Sequence, residues 1–116
     1  MNIKLPLKDE QKLTVLCRIE AGCLGPDGED HIDEFCAFGQ PLVAPIDADF
    51  VLWKLAPRHD KMLAEMHYSI NGKELNHVKA EKYLSLFSKN LDTFEEHLND
   101  KLAQIIDDYL ASRSNI

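Results

Sequence analysis

The sequence lacks any apolar run approaching the roughly 20 residues that span a bilayer, the longest obvious ones being Phe50 to Trp53 and Leu42 to Ala44. No transmembrane helix or membrane partner is expected. The first ten residues contain no apolar h-region and turn acidic at Asp9 and Glu10, so they do not read as a secretory signal. Basic residues are scarce as well: 13 Lys and Arg against 20 Asp and Glu give a formal charge of −7. Such a chain repels a phosphate backbone, because nonspecific nucleic-acid affinity comes from cationic side chains displacing counterions. Nucleic acid is not an expected partner.

Cysteine is limited to Cys17, Cys23 and Cys36. Three cannot all pair within the chain, and no Cys-x-x-Cys motif is present. Free thiols and a cytoplasmic location are the natural expectation. Missing too are Gly-x-Ser-x-Gly, the phosphate-binding glycine loop and Gly-x-Gly-x-x-Gly. Gly22, Gly25 and Gly28 have the wrong spacing for either glycine motif and read as a loop.

What is present suffices for one packed domain. A chain of 116 residues with 45% apolar and 28% charged side chains can bury a core without metals or disulfides. Leu13, Val15, Cys17 and Ile19 alternate with Thr14, Leu16, Arg18 and Glu20, the period of a strand with one buried face. Asp30 can cap a helix over His31 to Gln40 with Ile32, Phe35, Cys36 and Gly39 on one side, and Pro41 is expected to end it. Residues 41–49 read as a crossover back to the sheet.

Phe50 to Ala56 is apolar almost throughout, as in a central strand. A second strand follows the turn at Pro57 to Lys61, with Ala64, Met66, Tyr68 and Ile70 inward and Glu65, His67 and Ser69 outward, and the two are expected to form an antiparallel hairpin. Asn71-Gly72 predicts a two-residue type I′ turn into a short strand, Lys73 to Leu75. Asn76 caps a helix carrying Ala80, Tyr83, Leu84 and Phe87. Asp92, with Glu95 three residues on, reads as the capping box of a final helix striped by Phe94, Leu98, Leu102, Ile105, Ile106, Tyr109 and Leu110.

The expected fold is therefore a single α+β domain over 1–116, a two-layer sandwich. Its mostly antiparallel sheet has about four strands, with about three helices, in the order β-α-β-β-β-α-α. Residues 1–10 and 113–116 are expected to fray.

Candidate chemistry is sparse. Cys17, Cys23, His31 and Cys36 supply ligand types that suit zinc, but gaps of five, seven and four do not match a zinc knuckle. Cys17 and Cys36 read as small hydrophobes, leaving Cys23 as the accessible thiol. The acids Asp27, Glu29, Asp30, Asp33 and Glu34 suit a helix start as well as they suit a cation. Glu65 with His67, and Glu74 with His77, are spaced to let a carboxylate tune an imidazole. Lys54, Arg58, His59 and Lys61 form the sole basic concentration, where an anion or acidic partner could dock.

These features rank a non-catalytic protein-interaction or self-association module first, with a homodimer as the expected partner. Phe38, Phe50, Trp53, Tyr68 and the last helical stripe ask for burial that a small domain has limited room to supply. A thiol- or zinc-dependent enzyme using Cys23, His31 and Cys36, with His67 and Glu65 as further catalytic candidates, is the alternative. A second alternative is an acidic decoy for a basic protein, whose acidic face would join Asp27 to Glu34 with Glu96, Asp100, Asp107 and Asp108.

Overall fold

The computed structural model describes residues 4–114. The expected fraying at 1–3 and 115–116 lies outside them. The architecture is α+β: one four-stranded sheet with three helices, β1 (Leu13–Ile19), α1 (Gly28–Val43), β2 (Val51–Pro57), β3 (Met66–Ile70), β4 (Lys73–Leu75), α2 (His77–Ser85) and α3 (Leu91–Ser114). The sheet order is β2-β1-β3-β4. β1 runs parallel to β2 and antiparallel to β3, while β3 and β4 form a hairpin, so the sheet is mixed.

This order overturns the expected hairpin between β2 and β3. β1 sits between them, with Val15 opposite both Trp53 and Tyr68, and β2 is an edge. The apolar run that suggested a central strand has another cause. Phe50 precedes β2, and its ring stacks on Phe87 at 4.3 Å, just beyond α2.

One face of the sheet is covered by α1 and α3. Leu13, Val15, Cys17 and Ile19 are all buried there, Trp53 stacks on Phe94 at 5.1 Å, and Phe35 and Phe38 of α1 meet Tyr109 of α3 at 5.4 and 5.3 Å. Close approach requires glycine at Gly28, where the obstacle is backbone, and favours it at Gly39, where the obstacle is the end of the Leu55 side chain. A methyl group on Gly28 would lie 1.8 Å from the Ala21 carbonyl oxygen, and one on Gly39 would lie 2.9 Å from Leu55 Cδ1.

Local signals resolve as follows. Asn71 and Gly72 both have positive φ, 49° and 82°, as the hairpin turn needs. The Asn76 side chain accepts from the Lys79 amide and caps α2. The helix α1 starts at Gly28 and passes through Pro41 to Val43, against the expected span of His31 to Gln40. A proline costs one backbone bond there, and the extra turn buries Val43 completely.

The capping box also needs correction. Asn90, not Asp92, accepts from the Thr93 amide, and the Leu91 amide donates to Glu81 at 2.7 Å. Burying Leu91 draws the helix start two residues toward the N-terminus. Glu95 turns instead to the Tyr68 hydroxyl.

Candidate functional site

The opposite face of the sheet carries no helix. Because directly paired residues share a face, the register places Leu52, Thr14, Ser69 and Glu74 in one row across all four strands, and Lys54, Leu16 and His67 in the next. Leu16 and Leu52 are half-buried, and Lys54 and Glu74 are exposed. His67 Nε2 lies 3.6 Å from Glu74 Oε1. Positive charge thus stands at the β2 side of the face and negative charge at the β4 side.

A loop shapes the rim of this face. The Arg58 guanidinium donates to the carbonyl oxygens of Leu63 at 3.0 Å and Lys61 at 3.1 Å, and pairs with the carboxylates of Glu20 and Glu65. These bonds hold a loop whose Met62 is 92% exposed and whose Leu63 is 46% exposed. Beside β3 and β4 the loop borders a depression of about 330 Å³, lined in part by His67, Leu75 and His77.

The outer edge of β2 is closed to a further strand. The Gln40 side chain donates to the Trp53 carbonyl oxygen at 2.7 Å and accepts from the Leu55 amide at 2.9 Å, occupying the outer edge of β2 as a neighbouring strand would. The other edge, β4, is three residues long and bears Lys73 and Glu74.

The structure distributes the sequence candidates widely. Cys17 and Cys36 are buried thiols, and Cys23 is exposed in a 3₁₀ turn, Ala21–Leu24. Burial pushes the Cys17 thiol up to about 12 and the Cys36 thiol up to about 11, with nearby Glu65 and Asp33 respectively adding to the effect. His31 lines a different cleft, with Tyr109 and Arg113. Among the described residues, no three His, Cys, Asp or Glu side chains gather as a metal site.

The proposed acid–base pairs are rearranged. His67 pairs with Glu74 across the strands, Glu65 pairs with Arg58, and His77 sets its ring edge against Tyr68. Within the basic group, Arg58 is engaged by two loop carbonyls and two carboxylates, while Lys54 lies on the open face. The acids Asp27, Glu29, Asp30, Asp33 and Glu34 are exposed on or beside α1, and Glu34 meets Arg113 of α3 at 2.9 Å.

Sequence reasoning missed the second cleft of interest, between the C-terminal end of β1 and α3. Cys17, Ile19, Leu98 and Leu102 form buried walls, with Glu95 and Glu65 toward its mouth. Its signal lay in Glu95 and Asn99, one turn apart on α3 beside the apolar stripe.

Comparison with known proteins finds no matching family model, no matching characterised protein and no matching solved structure.

Proposed function

We propose that this chain is a non-catalytic protein-interaction domain that self-associates, two copies meeting through their uncovered sheet faces, in a reducing compartment such as the cytoplasm. The observation that carries the reading is the self-complementary face, with Leu16 central, Lys54 toward β2 and Glu74 toward β4. A two-fold axis parallel to the strands sets β2 of one copy over β3 and β4 of the other. Each Lys54 then approaches the partner copy's acidic side, twice per dimer.

The expectation that aromatic side chains need a partner for burial does not supply the support. Phe50, Trp53 and Tyr68 are buried within one chain, and Phe38 is half-buried. The interface rests instead on the open face and on Met62 and Leu63. A face of four short strands buries roughly 1,000 Å², near the lower limit for a specific interface, which corresponds to a weak, concentration-dependent dimer.

A charge exchange tests the arrangement. Lys54→Glu and Glu74→Lys should each weaken association by about tenfold, since each removes two symmetric pairs worth up to about 1 kcal/mol apiece. The double variant should recover most of that loss. Additive weakening in the double variant would rule out the proposed pairing.

A further inference from the structure

On the covered side of the sheet, away from the self-association face, the cleft between β1, β3 and α3 has a volume of about 320 Å³. That is at the small end of the range for ligand pockets. Its floor is apolar: Cys17, Ile19, Leu98 and Leu102 are each buried.

One carboxylate in this cleft has no cationic partner. Glu65 and Glu20 at the rim share the Arg58 guanidinium, whereas half-buried Glu95 receives only the Tyr68 hydroxyl, at 2.5 Å, among the described residues. Burial, reinforced by the Glu95 carboxylate, holds the Tyr68 hydroxyl well above the usual phenol range, so it remains a donor. This bond orients Glu95 but leaves its charge uncompensated. A carboxylate beside apolar walls gains most from a cation that brings its own apolar body.

We propose that this cleft binds a small organic cation, a primary amine bearing an aryl or alkyl body, with the ammonium on Glu95 and the body against Leu98 and Leu102. An anion of the same shape meets three carboxylates, Glu20, Glu65 and Glu95, against one lining cation, Arg18, whose guanidinium is held by the Ala64 carbonyl oxygen. The contact needs no second copy of the chain, so it stands or falls independently of self-association.

The experiment is an amide chemical-shift titration of the full chain at pH 7 with 2-phenylethylamine, and with 3-phenylpropionate as the opposite-charge control. Saturable shifts centred on Glu95, Leu98 and Leu102 are expected for the amine and none for the acid. Glu95→Gln keeps an acceptor for Tyr68 and should weaken amine binding at least tenfold. Glu96→Gln, the same charge change at an exposed neighbour, should alter it less than twofold.

Ala103→Trp, which places bulk at the exposed mouth, should also abolish binding and provides a second test should Glu95→Gln fold poorly. No saturable shift with millimolar amine, equal binding of the acid, or undiminished binding by Glu95→Gln or Ala103→Trp would each overturn the proposal.

Discussion

The Gln40 side-chain amide lies 2.7 Å from the carbonyl oxygen of Trp53, closing the outer edge of β2. Its second bond, from the Leu55 amide, completes a mimic of strand pairing. Replacing it with Ala leaves two edge groups without their partner. Gln40→Ala should cost about 1–3 kcal/mol in urea unfolding. It should also raise concentration-dependent aggregation, followed by light scattering, because the edge becomes available to other strands.

Tyr83 ties the far end of the chain to the start of the sheet. Its hydroxyl donates toward the Phe50 carbonyl oxygen at 2.8 Å and accepts from the Leu13 amide at 3.2 Å. Leu13 also donates directly to Phe50, so losing the hydroxyl leaves that amide bonded. Tyr83→Phe should therefore cost only about 1 kcal/mol, measured as a lower urea midpoint with an unchanged slope.

Gly28 and Gly22 should respond oppositely to alanine. A methyl on Gly28 strikes the Ala21 backbone, while one on Gly22 meets nothing within 4 Å. Gly28→Ala should destabilise by about 3 kcal/mol, at the upper end of overpacking costs. Gly22→Ala should be neutral or stabilise by up to about 1 kcal/mol through the unfolded state. Thermal unfolding of the two variants distinguishes them.

Alkaline pH should destabilise the fold through its buried thiols. In the unfolded chain they ionise around the ordinary thiol value of 9, but in the folded chain burial raises Cys17 to about 12 and Cys36 to about 11. The unfolded state then binds fewer protons between those values, so the thiol contribution is intact below pH 9 and lost as pH rises through 11 to 12. Urea midpoints at pH 8 and pH 10.5 should differ less in Cys17→Ala than in the parent. At pH 8, a thiol reagent should label exposed Cys23 at least tenfold faster than Cys17 or Cys36.

Much of the local structure was legible because its causes are local. The alternation at 13–19 gave the buried face of β1, Asn71-Gly72 gave the turn between β3 and β4, and Asn76 gave the start of α2. Ile32, Phe35, Cys36 and Gly39 all face the core, as their spacing predicted. Pairing order was not legible. Whether β1 or β2 is central depends on contacts among distant segments, and Phe50 imitated a two-sided strand by packing on Phe87.

The caps failed where tertiary partners intervened: Tyr68 claimed Glu95, and buried Leu91 shifted the start of α3. In the candidate site, the strand periods identified the outward residues Leu16 and His67, whereas Lys54 was legible only as a member of the basic group with Arg58, His59 and Lys61. Only the sheet order could show Lys54 and Glu74 at opposite sides of one face, or bring Glu74 rather than Glu65 to His67.

The central claim is association through that face, and sedimentation velocity over about 5 µM to 1 mM tests it most directly. The parent chain should shift from monomer to dimer within this range, while Leu16→Arg, with an unchanged circular dichroism spectrum, should remain monomeric. A parent that stays monomeric throughout, or a folded Leu16→Arg variant that dimerises as well as the parent, would contradict the account.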